Sequence, residues 1–170
     1  MQVRLTPRQS AVMADSARFR TVIAGRRSGK TFEECAELIV AAGRKPGSLN
    51  WYVAPTYKQA KQIAWTMLKR MAPRNRLARA PNETDLTLEF KNGSKIQLRG
   101  ADNPDSLRGP GIDFLVMDEF AFIDPLAWGE VLRPALSDTM GRALFTSTPK
   151  GFNWAYDIFM RGKSDPDWAS

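Results

Sequence analysis

The sequence predicts an α/β fold, a parallel sheet with helices on both faces. Three observations carry this. Short apolar runs rich in β-branched and aromatic residues alternate with longer segments of helical periodicity, the pattern of repeated strand–helix units. The 170 residues suffice for one domain with a substantial core. Four of the unusual local sequences, "GRRSGKT", "APTY", "DEFA" and "TSTPKG", fall at the carboxyl ends of expected strands. Sheets of this kind bind their ligands there.

The elements follow in order. "LTPRQ" opens a helix after Pro7. "RTVIAG" (residues 20–25) is a buried strand, and "TFEECAELIVAAG" is a helix with Gly43 as its stop. "LNWYVAP" (49–55) is a second buried strand. Thr56 precedes the helix "YKQAKQIAWTMLKRM", in which Ile63, Met67 and Met71 share one apolar face. "DLTLEF" alternates Leu86, Leu88 and Phe90, and Asn92-Gly93 leads on to Ile96 and Leu98, so a β-hairpin is expected near residues 86–98. "ADNPDSLRGPGID" is a loop by its glycines and prolines. "DFLVMDEF" is a buried strand ending in acids. A short helix near residues 128–132, the strand "RALFTSTPKG" with its polar end, and the helix "NWAYDIFM" complete the chain.

Composition narrows the chemistry. Hydrophobic residues make up 43% and charged residues 25%, as in ordinary globular domains. Cys35 is the only cysteine and histidine is absent, which excludes a disulfide within the chain, thiolate or imidazole zinc sites, and Ser-His or Cys-His nucleophiles. Cys35 lies in an apolar helical pattern and reads as a buried structural thiol. No apolar run approaches the roughly 20 residues of a membrane span. The start "MQVRLTPRQS" lacks a secretory apolar stretch, so a cytoplasmic location and no membrane partner are expected. The net charge of +7 suits nucleic acid or a phosphorylated ligand, and equally a basic solvated surface.

The stretch "AGRRSGKT" (24–31) is the most informative. A loop between a strand and a helix N-terminus offers unpaired N–H groups and the positive dipole end to an anion. Gly25, Arg26, Arg27, Ser28 and Gly29 form the loop, Lys30 can reach β- and γ-phosphates, and the Thr31 hydroxyl can ligate Mg²⁺. Ala24 occupies the slot where the usual pattern has its first glycine, with Gly25 beside it. "FLVMDEF" supplies the acidic half of such a site. Asp118 is the Mg²⁺-holding carboxylate, and Glu119 the base that orients and deprotonates an attacking water. An acidic strand end facing solvent, or a nuclease pair, has the same letters, but a nuclease needs more clustered acids. Thr146, Ser147 and Thr148 place hydroxyls at another strand end, where they can sense a γ-phosphate; such residues are also common in plain turns. Gln9 can hydrogen-bond adenine through its amide, or simply belong to a helix start.

Together these segments resemble the ATPase domain of the large terminase subunit of tailed phages, the motor that packs DNA into a procapsid. "GRRSGKT" is similar to that family's deviant phosphate loop, "FLVMDEFAF" to its second acidic motif, "TSTPKG" to its coupling motif and "LTPRQ" to its adenine motif. "WYVAPTYKQAKQ" and "NGSKIQLRGAD…SLRGPGIDFLVMDE" extend the resemblance over nearly the whole chain. The resemblance implies a RecA-like, additional-strand P-loop NTPase fold, with residues 1–170 as a single ATPase domain. It implies hydrolysis of ATP with Mg²⁺, with Glu119 catalytic, Arg26 acting in cis on the γ-phosphate and Arg108 acting in trans from a neighbouring subunit. Arg27 is left a surface or salt-bridge role. Implied partners are double-stranded DNA, a homo-oligomeric ring that is a pentamer when assembled, a portal protein and a small terminase subunit, all in the host-cell cytoplasm. Full-length members also carry an RNase H-like nuclease domain; no nuclease activity is expected of this sequence. A helicase or recombination-type DNA-dependent ATPase, and a nucleotide-binding scaffold without turnover, stand as alternatives. Lys58, Lys61, Lys69 and Arg70, with Arg74, Arg76 and Arg79, are either DNA-phosphate contacts or a solvated helix face.

Overall fold

The structure, a computed structural model, describes residues 4–170. Among the described residues seven strands form one sheet: β1 (Phe19–Ile23), β2 (Leu49–Ala54), β3 (Thr87–Glu89), β4 (Lys95–Gly100), β5 (Phe114–Asp118), β6 (Arg142–Ser147) and β7 (Trp168–Ala169). Their order across the sheet is β3-β4-β2-β5-β6-β1-β7. Every neighbouring pair is parallel except the β3–β4 hairpin at one edge. β6 lies between β1 and β5, so a strand is interposed between the one that feeds the glycine loop and the one that ends in acids. This is the additional-strand arrangement.

Helices cover both faces: α1 (Pro7–Ala14), α2 (Lys30–Arg44), α3 (Tyr57–Ala60), α4 (Thr66–Met71), α5 (Arg133–Ser137) and α6 (Trp154–Arg161). Thr6 caps α1 through a capping box, in which its hydroxyl accepts from Gln9 N while the Gln9 side chain accepts from Thr6 N. Side chains alternate across the sheet and define two cores. Tyr52, Ala54, Val116 and Leu144 meet α2 and α4 on one face. Trp51, Val53, Leu115, Met117 and Phe145 meet Trp128, Leu132 and Ile158 on the other. Cys35 is fully buried on the first face.

The hairpin forms as its alternation requires. Phe90 N donates to Ser94 O and Gly93 N to Phe90 O, and Gly93 takes φ +83°, the left-handed position of a three-residue hairpin loop. Two expectations are corrected and one unforeseen strand is added. Gly43 does not end α2; the helix runs to Arg44, and the left-handed glycine is Gly47 at φ +73°. The helical run 57–71 contains a π-helical turn, Lys61–Trp65, between α3 and α4. Its buried positions are Ala60, Ala64, Trp65, Leu68 and Met71; Ala60, Ala64 and Leu68 recur at the spacing of four that a widened turn favours, and Met71 is buried as expected. Ile63 therefore sits outside the core and Met67 at its margin. Last, β7 carries no sequence signal because it is two residues long. Trp168 anchors it, stacking at 4.9 Å on Phe19 and 5.4 Å on Phe145, contacts worth roughly 0.5–1.5 kcal/mol each beyond area burial.

Candidate active site

β1, β5 and β6 end on one side of the sheet, and there the loop after β1 and the end of β5 meet the N-terminus of α2 around a hollow of about 350 Å³. Its walls include the 26–31 loop, Asp118 and Glu119, with Phe32, Ile63 and Met67 completing them. The apolar pair displaced from the core thus borders this hollow.

The loop leaves β1 in register with β6, and Ala24 N donates to Ser147 O at 3.1 Å. Ala24 continues the strand ladder without a left-handed backbone, so its slot needs no glycine. The left-handed positions fall later, at Arg27 (φ 61°) and Gly29 (φ 89°). Gly29 is the N-cap of α2 and supplies no side-chain cap, which leaves the first-turn N–H groups for an anion. A Cβ there would lie 2.8 Å from Gln9 Nε2. Lys30 Nζ folds over the loop, donating to Ala24 O at 2.9 Å and Gly25 O at 3.3 Å. Arg26, Arg27 and Ser28 are exposed, and neither arginine forms an ion pair among the described residues.

At the end of β5 the two acids have different surroundings. Asp118 is buried. Tyr52 Oη donates to its Oδ2 at 2.5 Å, and Thr146 Oγ1 lies 3.3 Å from its Oδ1. Burial raises its pKa, opposed first by the Tyr52 hydrogen bond and increased by the Glu119 charge. Glu119 adopts φ 48°, ψ 42°, a left-handed conformation that costs a non-glycine residue about 1–3 kcal/mol. The kink turns its side chain across the top of the sheet to the polar end of β6. There its Oε2 accepts from Thr148 Oγ1 (2.9 Å), Thr148 N (3.1 Å) and Ser147 Oγ (3.3 Å). Ser147 and Thr148 thus form one hydrogen-bonded unit with the expected base, whereas Thr146 bonds Glu34 and Asp118.

Other expected residues lie elsewhere. Gln9 is buried, and both edges of its amide are used within the chain: Oε1 accepts from Thr6 N (2.8 Å) and Nε2 donates to Gly29 O (3.0 Å). Arg108 is on the surface loop before β5, paired with Asp105 at 3.0 Å, and does not border this hollow. Two residues given no role by the sequence are tied to Asp118, directly or through Thr146. Tyr52 is one. Glu34, on α2 one turn beyond Lys30, is the other: it is fully buried and accepts from Thr146 Oγ1 at 2.5 Å. Burial, and then the neighbouring Asp118 charge, push its carboxyl well above the ordinary range. A glutamate inside an apolar helix stripe was the available signal.

Thr31 and Asp118 are hard oxygen donors, the type magnesium selects. Among the described residues no group of three or more acidic, cysteine or histidine side chains forms a cage for an ion.

The family model for the N-terminal part of the T4-like-virus type of terminase large subunit matches residues 22–166. The chain is 33% identical over 175 residues to a terminase large subunit of Thermus virus P23-45, covering 91% of this chain and 36% of that protein. It is 34% identical over 158 residues to the corresponding protein of Escherichia phage T5, again 36% of its length. The chain thus spans about a third of these relatives. Among solved structures, the large terminase ATPase domain of Thermus phage P74-26 superposes with a TM-score of 0.81 at 30% identity, covering 98% of this chain and 80% of that one.

Proposed function

The chain belongs to the terminase large-subunit family, of which it matches the N-terminal part, and on that premise we propose that it hydrolyses ATP to drive double-stranded DNA into a viral procapsid. Residues 1–170 serve as the ATPase domain. The observation that carries the reading is Glu119, held by Thr148 and Ser147 at the rim of the hollow that Lys30 and Asp118 share.

In this reading the loop N–H groups from Gly25 to Lys30 and the Lys30 ammonium hold the β- and γ-phosphates. Thr31 and Asp118 are the protein oxygens for Mg²⁺, which when bound neutralises charge on the phosphates. Glu119 orients a water in line with the γ-phosphate and accepts its proton. Arg26, exposed in the loop, reaches the γ-phosphate in cis. Loss of the γ-phosphate is read by Thr146, Ser147 and Thr148, because Thr148 already grips the base. Gln9 braces Gly29 from behind, and an adenine contact by its amide would use the second N–H and the second carbonyl lone pair.

Arg108 lies outside its own subunit's hollow, as suits a group acting on a neighbour in a ring, here a pentamer. The portal protein and the small terminase subunit are the further partners, in the host cytoplasm; among the described residues no helix is long and apolar enough to cross a membrane. For DNA, Lys58, Lys61, Arg70, Arg74 and Arg76 are exposed and outside any ion pair among the described residues, whereas Lys69 pairs with Glu83 and Arg79 with Glu89. The first group is assigned to DNA phosphates, which makes affinity fall steeply with salt.

Subunit mixing tests the motor reading. Arg108→Ala and Glu119→Ala proteins are each expected to release little phosphate when assembled on DNA. Their mixture should recover a fraction of wild-type turnover, since the Arg108 of one subunit serves the intact Glu119 of the other. Full turnover by Arg108→Ala alone would exclude the trans assignment.

A further inference from the structure

Strand alternation places Tyr52 on β2, Asp118 on β5 and Thr146 on β6 on the face that α2 covers, since they share parity with Ala54, Val116 and Leu144. These three strands are adjacent, and Asp118 and Thr146 are register partners. Glu34 descends onto them from α2. The result is a continuous buried chain of contacts, Glu34–Thr146–Asp118–Tyr52, with spacings of 2.5, 3.3 and 2.5 Å. It joins the helix that begins with the phosphate loop to three strands.

Both Asp118 oxygens are therefore oriented from the protein side, one by Tyr52 and one by Thr146. Each retains a lone pair for another partner. Thr146 carries a single hydroxyl hydrogen, shared between Glu34 and Asp118, so the position of Glu34 decides how Thr146 presents to Asp118. Neither Tyr52 nor Glu34 borders the hollow. Their contacts lead to it through Asp118, directly for Tyr52 and by way of Thr146 for Glu34.

We propose that Tyr52 and Glu34 are positioning residues that aim the Asp118 carboxylate at the magnesium of a bound nucleotide. This rests on the nucleotide reading above. Groups that orient a metal ligand from behind typically contribute 10–100-fold to metal affinity or activity. Tyr52 supplies the short bond that fixes the rotation of the carboxylate. Glu34 holds Thr146, and so ties that rotation to the α2 end of the phosphate loop.

The test uses Tyr52→Phe, Glu34→Gln and Glu34→Leu with Mn²⁺ as a spectroscopic substitute for Mg²⁺. Mn²⁺ binding in the presence of a non-hydrolysable ATP analogue is followed by electron paramagnetic resonance. Metal-free melting and metal-free nucleotide binding are measured in parallel. Tyr52→Phe and Glu34→Leu should weaken Mn²⁺ binding about 10-fold or more, with metal-free nucleotide affinity unchanged in Tyr52→Phe. Glu34→Gln, whose amide oxygen still accepts from Thr146, should bind Mn²⁺ within about threefold of wild type. If Glu34→Leu does not fold, Tyr52→Phe and Glu34→Gln decide the matter. Wild-type Mn²⁺ affinity in Tyr52→Phe overturns the proposal, and so does an equal loss in metal-free nucleotide binding, which marks a merely structural role. Failure of the wild-type protein to bind the metal–nucleotide pair would instead overturn the nucleotide reading itself.

Discussion

Replacing Glu119 by glutamine is expected to leave ATP bound and to reduce phosphate release about 10²–10⁴-fold, the usual contribution of a positioned general base. The amide preserves shape and the bonds from Thr148 and Ser147, so the geometry at the end of β5 survives. What is lost is the capacity to take a proton from water. Lys30→Ala should lose turnover for a different reason, weaker binding of the triphosphate, so the two variants separate in nucleotide affinity. Steady-state phosphate release alongside equilibrium binding of a fluorescent ATP analogue checks this. Turnover of Glu119→Gln within about threefold of wild type, far short of the loss expected of a missing base, would remove Glu119 from the mechanism.

The second large effect is on stability. Arg20 and Glu37 form a bidentate ion pair between β1 and α2, with side chains only 3% and 5% exposed. Arg20 also donates to Val12 O at 2.6 Å, which pins α1 to the sheet. Glu37→Leu strands a buried guanidinium, and breaking such a pair typically costs about 3–5 kcal/mol. That is a large part of a domain's usual stability, roughly 5–15 kcal/mol. Arg20→Met combined with Glu37→Leu should recover much of the loss, because the uncompensated charge is gone. Urea midpoints for the single and double variants provide the comparison. A single-variant loss below about 1 kcal/mol would mean that the pair is solvated and weak.

The residues visible in the sequence are those whose chemistry is carried by a local pattern. The glycine loop before a helix marks Lys30 and Thr31, the acids closing an apolar run mark Asp118 and Glu119, and the hydroxyls ending another run mark Thr146 to Thr148. The parallel sheet is legible because strand and helix periodicities alternate. What stays hidden depends on strand order. Tyr52 reads as one aromatic among several in a buried strand until β2 is known to lie beside β5, and Glu34 reads as helix filler until α2 is laid over β6. The apolar face of the 57–71 helix is only partly legible: Met71 is buried as expected, but the π-helical turn moves Ile63 out to solvent and brings Ala60, Ala64, Trp65 and Leu68 onto the sheet. The bracing role of Gln9 needs three dimensions as well, since Gly29 is 20 residues away.

The most direct measurement is a structure of the Glu119→Gln protein with ATP and Mg²⁺. The β- and γ-phosphates should lie on the 25–30 loop with Lys30 Nζ released from Ala24 O to meet them, and the metal between Thr31 and Asp118. The amide introduced at position 119 should face the γ-phosphate on the side away from the leaving group. A nucleotide bound elsewhere, or seated in the loop with its γ-phosphate turned away from residue 119, would contradict the assignment of this hollow as the hydrolytic centre.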